Sequence, residues 1–245
     1  MSDNDQPLTL LVRKLATHVE LSKDDRAAIL ALPHAVREFD PSKYLVREGE
    51  TPGPCAVLIS GYAVRHKIST EGDRQIVSIH VPGEPLDFQH LFLDEADHNV
   101  QTLTRSEVAL VPRDAIRKLA EARPAVMHAL LVSILVEASI FREWVLNVGQ
   151  RDARARVAHL LCEFAIRLDA QGLTGSNGYE LPMTQEQLGD ATGLTAVHVN
   201  RMLKALETDG LVKRKGRYVS FPDWKGLRDI SGFGERYLHL SKQEA

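Results

Sequence analysis

Residues 184–206 read TQEQLGDATGLTAVHVNRMLKAL, and the interpretation of the whole chain grows from this stretch. Thr184 offers a helix N-cap, and Gln187 three residues on completes a capping box. Leu188 and Ala191 face inward, and Gly193 suits the left-handed backbone that ends a short helix. Leu194 plugs the gap before a second helix, which Thr195 caps. Val199, Met202, Leu203 and Leu206 form its buried stripe. Two helices joined by a short glycine turn make a helix-turn-helix, whose second helix enters the major groove of DNA N-terminus first.

The residues that follow extend the motif. Gly210 closes the second helix. Leu211-Val212 and Tyr218–Phe221 read as two strands, with Lys213-Arg214-Lys215-Gly216-Arg217 as the turn between them, a wing tipped with cations. From Leu194 to Phe221 six Lys or Arg face two acids, Glu207 and Asp209, although the chain of 245 residues carries a net charge of −3. Cations gathered on the second helix and wing suit phosphate contacts and counterion release. The bland alternative is a solvated basic hairpin on a winged helix that binds protein.

The candidate DNA contacts divide by chemistry. Thr195 and the helix N-terminus are expected to hold a phosphate. Arg201 suits guanine N7 and O6, His198 and Asn200 suit base edges, and Ala196 and Val197 suit a thymine methyl. Lys213, Arg214, Lys215 and Arg217 hold backbone without reading sequence. Thr184, Gln185 and Lys204 complete the set.

Upstream, Met127, Leu131, Ile134, Ala138, Phe141, Val145 and Val148 recur at alternating spacings of four and three after Pro124. This heptad-like seam predicts a long helix. It packs either on the chain's own barrel or, as we prefer, on a two-fold partner. Glu137, Arg142 and Asn147 lie on its other side. The helix pauses near Gly149–Asp152, and Arg151–Arg156 is the expected hinge. A further helix carries Val157, Leu160, Leu161, Phe164, Ala165 and Leu168, and Gly172–Gly178 reads as a loop. Residues 8–32 read as short helices. From Val36 to about Val111 alternating apolar runs are broken by turns such as Pro52-Gly53-Pro54 and Pro82-Gly83-Glu84-Pro85, predicting an antiparallel barrel or sandwich.

Composition narrows the classes. Hydrophobic residues make up 44% and charged residues 26%, a soluble globular balance. Two cysteines, Cys55 and Cys162, are too few and too far apart for a disulfide framework, zinc finger or iron–sulfur cluster, and are expected as buried thiols. The acidic opening Met1–Asp5 is no secretory n-region. The longest apolar stretch, Ala129–Val136, is broken by Ser133 and is far short of a membrane span. A cytoplasmic protein with no membrane partner is expected. Neither a GxSxG nor a P-loop is present, so no enzyme is predicted, and a cupin-type enzyme lacks its His/His/Glu set. His66, His80, His90 and His98 fall in the strand region. Their spacing selects no metal or haem geometry, so no cofactor or metal is predicted and surface positions are expected. Asp87, Asp94, Glu95 and Asp97 are expected in a solvated loop.

With barrel, long helix and winged helix in this order, residues 10–230 resemble the Crp/Fnr family of regulators, most strongly in GDATGLTAVHVNRMLKALETDGLVKRKG (189–216). The resemblance implies an α+β chain: an N-terminal antiparallel β-roll, jelly-roll-like, as effector domain (1–123), a long dimerisation helix (124–150), and a C-terminal winged helix-turn-helix (151–245). It implies a homodimer on a roughly palindromic operator in double-stranded DNA, with RNA polymerase as protein partner. Cyclic-nucleotide binders of the family carry a Gly-Glu-Leu run and a later Arg-Ser or Arg-Thr pair. Here Leu86–Phe92 and His98-Asn99 stand there, with no Arg between Arg74 and Arg105, so the effector is not expected to be cAMP. The Fnr-type N-terminal cysteines are absent. Val197 replaces the usual base-reading Glu, so the operator is not inherited either. The competing reading is a haem- or small-molecule-binding sensor whose winged helix serves protein contacts.

Overall fold

The structure is a computed structural model that describes residues 6–174 and 178–240. The acidic opening 1–5 and part of the expected loop at 172–178 lie outside the described residues. The chain forms two compact units, the first built from the N-terminal half up to Ala138 and the second from Ser139–Leu238 with Ile68–Val77.

In the first unit two short helices, α1 (Thr9–Ala16) and α2 (Lys23–Leu30), precede the strands. α2 starts at Ser22, whose hydroxyl accepts from Asp25 N at 3.1 Å while the Asp25 carboxylate accepts from Ser22 N at 3.2 Å, a reciprocal cap. Seven strands follow, with the end of β4 and the first half of β5 counted in the second unit: β1 (Ala35–Phe39), β2 (Tyr44–Val46), β3 (Cys55–Ser60), β4 (Ala63–Ile68), β5 (Arg74–His80), β6 (Asn99–Thr102) and β7 (Ser106–Val111). They make two sheets, β1-β7-β3 and β2-β6-β4-β5, with antiparallel pairing of β1 and β3 to β7 and of β2 and β4 to β6. Gly61 turns β3 into β4 with φ +80, and a Cβ there would lie 2.3 Å from Ser106 Oγ, so the turn demands glycine.

Apolar residues of the two sheets (Val46, Ala56, Leu58, Ala63, Val100, Val108) close one core together with Leu86 and Ala96. A second core joins α1 and α2 to Cys55, Val57, Ala109 and Val111, and to α3 (Arg113–Ala122) and α4 (Pro124–Gln150). α3 is not among the expected elements, although Ile116, Leu119 and Ala120 carry its helical spacing between Pro112 and Pro124.

Proline at the first position of α4 supplies a fixed φ where no N–H is needed. The helix has two apolar faces. Val126, Ala129, Leu130, Val136, Ile140 and Trp144 are buried, whereas Leu131, Leu135, Phe141, Val145 and Leu146 are exposed. Length and composition alone would let α4 cross a membrane, a possibility that the shorter run Ala129–Val136 concealed. The buried face, however, is absorbed by the chain's own packing. Asn147, grouped by sequence with the polar side, is buried and donates from Nδ2 to Arg156 O at 3.3 Å.

In the second unit, α5 (Ala153–Ala170) is capped by Asp152, which accepts from Ala155 N at 2.9 Å. Glu163 on α5 is buried. Its carboxylate accepts from Trp144 Nε1 at 3.0 Å, Arg167 Nη1 at 3.2 Å and the Tyr237 hydroxyl at 2.8 Å. After β8 (Gly178–Glu180) come α6 (Gln185–Thr192), α7 (Ala196–Thr208), β9 (Lys213–Lys215), β10 (Tyr218–Ser220) and α8 (Trp224–Ser231). The last three strands form a sheet in the order β8-β10-β9. Neither β8 nor α8 was read from sequence. Three residues are too few for a periodic signal, but Asp223, Trp224, Leu227 and Gly232 do spell a capped short helix. Cys55 and Cys162 are free buried thiols, each pushed up to about 12 by burial.

Burial makes stability depend on pH. Desolvation holds His98 at about 4 and His159 at about 3, with Arg65 and Arg151 respectively adding to the shift. Both folded values lie below that of the unfolded chain, so the stabilisation is full above pH 6.5 and is lost as pH falls towards those values. At pH 5 the loss is on the order of 2 kcal/mol per histidine. Urea unfolding at pH 7.5 and pH 5 checks this: a His98→Gln, His159→Gln variant should show a flatter profile than the parent. Equal slopes for the two proteins would contradict it.

Candidate nucleic-acid interface

The helix-turn-helix is built by local chemistry. Thr184 Oγ1 accepts from Gln187 N at 3.2 Å, and Gln187 Oε1 accepts from Thr184 N at 2.9 Å. Gly193 ends α6 with φ +65. Gly189, to which sequence reading gave no role, brings α6 against the turn: a Cβ there would sit 2.4 Å from Leu194 O, while Leu194 N donates to Gly189 O at 3.1 Å. Thr195 caps α7 by accepting from His198 N at 3.2 Å. Val199, Leu203 and Leu206 are buried and Met202 is half-buried, as the stripe required.

Opposite that stripe, Thr195, Val197, Arg201 and Lys204 are exposed, and Ala196, His198 and Asn200 are half-buried. Val197 is 82% exposed, a conspicuous position for an apolar side chain at the tip of a helix. Thr184 and Gln185 are exposed at the start of α6, and Gln185 Nε2 donates to Asn200 Oδ1 at 3.4 Å. The two helices therefore present these residues side by side.

The wing differs in detail from its sequence reading. Leu211 and Val212 are buried ahead of the strand rather than in it. Lys213-Arg214-Lys215 themselves form β9, with the turn only at Gly216-Arg217. Turn-like composition hid a strand because alternating exposure needs no apolar partner on the outer face. Lys213, Lys215 and Arg217 are exposed. Arg214 is half-buried and pairs with Glu207 at 2.6 Å, and the guanidinium holds that carboxyl below its usual range. Arg217 donates to the carbonyls of Leu181 and Pro182, tying the wing to the segment before α6. Asp209 pairs with Arg154. Both acids of the region are thus engaged by arginine, while no ion pair among the described residues occupies Arg201, Lys204, Lys213 or Lys215.

On α4, Leu131, Ala138, Phe141 and Val145 of the expected seam are exposed, while Met127 and Ile134 lean on the chain's own core and Val148 lies against Gly193. Leu135 and Leu146, absent from the expected seam, are also exposed. The exposed stripe is therefore rotated towards Leu135.

In the first unit, two expectations are corrected. His66, His80, His90 and His98 are all buried, not at the surface, because each points inward from a strand or from the segment between β5 and β6. Asp87, expected in a solvated loop, is buried with its carboxylate 3.4 Å from Ala56 N, whereas Asp94, Glu95 and Asp97 are exposed. Arg65 also enters this region, from β4. It pairs with Glu137 of α4 and donates to Leu86 O at 2.7 Å. It lies outside residues 74–105, the stretch in which the family resemblance places the arginine.

A winged helix-turn-helix with a free basic face, in a chain that also holds an antiparallel roll and a long helix, defines the class of effector-domain transcription regulators. Comparison with known proteins agrees. Residues 36–123 match the cyclic nucleotide-binding domain and residues 155–230 the Crp-like helix-turn-helix domain. The chain is 28% identical over 200 residues to the transcriptional activator protein FnrL of Cereibacter sphaeroides, covering 80% of each. It is 25% identical over 206 residues to the anaerobic regulatory protein of Haemophilus influenzae, covering 84% of this chain and 80% of that one. Its fold is that of FixK2 from Bradyrhizobium japonicum, with a TM-score of 0.74 at 23% identity over 83% of this chain and all of the other. The chain belongs to the Crp/Fnr family and is a DNA-binding transcription regulator of that type.

Proposed function

We propose that the chain acts in the cytoplasm as a homodimer on a two-fold-related operator, with one α7 in each of two major grooves. The observation that carries this reading is the exposed set of Arg201 and Lys204 on α7 and Lys213 and Lys215 on the wing, none of them in an ion pair among the described residues. A helix end and cations together favour phosphate, and an exposed Val197 suits a thymine methyl. The exposed apolar stripe of α4 supports the dimer: a soluble protein seldom leaves such a run in water. The division into effector domain (1–123), dimerisation helix (124–150) and DNA-binding domain (151–245) belongs to this reading, as does RNA polymerase as partner. No catalysis and no cAMP response form part of it, since Arg65 is already met by Glu137 and His98-Asn99 replaces the Arg-Ser pair.

Arg201 reads a base and Lys213 holds backbone. In a gel-shift series, Arg201→Ala is expected to cost about 1–3 kcal/mol at the native operator and to relax discrimination at one base pair. Lys213→Ala is expected to weaken all duplexes alike and to lower the salt slope by about 1. The reverse pattern would overturn the assignment.

A further inference from the structure

We propose that the first unit binds a divalent transition-metal ion of the zinc type through His90 and His98, with Asp97 as third ligand. His90 lies in a single turn of 3-10 helix, Phe88–Leu91, and His98 immediately precedes β6. The two rings are stacked, with centroids 5.5 Å apart and planes 18° apart. One donor atom from each of His90, Asp97 and His98 lies within 4.8 Å of the others, close enough for small side-chain rotations to bring all three onto one ion.

His90 is fully buried, yet among the described residues neither ring nitrogen has a hydrogen-bond partner. Its nearest ionic neighbour, Asp87 Oδ2, stands 3.6 Å from Nδ1, beyond a true hydrogen bond. A buried imidazole without partners calls for an explanation, and a bound cation supplies one. Two imidazoles and a carboxylate are the donor set of zinc and its neighbours.

The surroundings fit a cation. His98 Nδ1 lies 2.6 Å from Asp97 Oδ1, so both can turn to the same ion, and Gln89 Nε2 lies 3.1 Å from His98 Nε2 on the far side of the ring. Once the metal takes Nδ1, Nε2 carries the proton and the Gln89 amide oxygen turns to accept it, an outer-shell brace. Asp87 and Asp97 contribute negative charge, and the nearby positive charge of Arg65 is offset by Glu137. The side chain of Asp97 is 82% exposed, which leaves a route for the ion to enter. The site does not depend on how the winged helix contacts DNA.

The test uses the full-length protein, stripped with chelator and titrated with Zn(II) against a chromophoric competitor. Co(II) is then substituted and its visible spectrum recorded. One ion per chain and the intense visible bands of tetrahedral Co(II) are expected. His90→Gln and His98→Gln should each weaken binding by at least ~10-fold, the loss that even an outer-shell partner produces. His66→Gln, a buried histidine outside the cluster, should leave it unchanged. Should a variant fail to fold, the NMR spectrum of the Co(II) protein decides, because two histidine rings must show strongly shifted signals. Less than one ion per chain, unaltered affinity in both His90→Gln and His98→Gln, or no shifted histidine signals would each overturn the site.

Discussion

A Phe141→Glu, Val145→Glu variant is expected to be monomeric at concentrations where the parent is a dimer, and to lose about 10²- to 10⁴-fold in operator affinity. Both side chains are apolar and exposed on α4, at 49% and 59%, and neither belongs to the face that packs within the chain. If α4 meets its own copy as proposed, two carboxylates there set like charges against each other in an interface that excludes water. The affinity loss follows from avidity. In a dimer the second α7 binds at an effective concentration fixed by the first, and that gain vanishes when the heads part. Sedimentation and anisotropy titration of the same samples check both halves. A variant that stays dimeric would show that α4 is not the interface. One that is monomeric yet binds as the parent does would show that one reading head suffices.

The second large effect concerns stability. Glu163→Ala is expected to destabilise the protein by about 3–5 kcal/mol, because it leaves Arg167 buried without its carboxylate and strips Trp144 Nε1 and the Tyr237 hydroxyl of their common acceptor. The network ties the C-terminal part of α4 to α5 and to the segment around Tyr237 within the second unit. Adding Arg167→Met to Glu163→Ala should recover part of the loss, since a buried charge that has lost its Glu163 carboxylate is removed. Denaturant unfolding of the two single variants and the double variant measures this. A double variant no more stable than Glu163→Ala would contradict the account.

The same residues show what a sequence gives up readily. The reading head was legible because its signals are local: two caps, a glycine at positive φ, and an apolar stripe every three or four residues, all within 23 residues. The seam of α4 was legible as a period, but its angular position was not. Which of two adjacent apolar stripes faces inward depends on the cores that receive it, and those come from elsewhere in the chain. The histidines were misplaced for a related reason. Strand alternation says that His66 and His80 share a face with particular neighbours, but not whether that face is the inner one, which register with distant strands decides. Arg65 illustrates the limit most clearly. It stands 21 positions before Leu86 and 72 before Glu137, and only the sheet brings the three together.

α7 works as a reading head only if it lies in the major groove, held there by its own cations and those of the wing. The most direct measurement is the affinity of the purified protein for duplex fragments selected from its own genome, taken across a salt series. Tight binding at low ionic strength is expected, falling by about 0.9 in log affinity per log salt for each phosphate neutralised, with protection of two sites one helical turn apart. Absence of affinity for any duplex at low ionic strength, or binding indifferent to salt, would contradict the account.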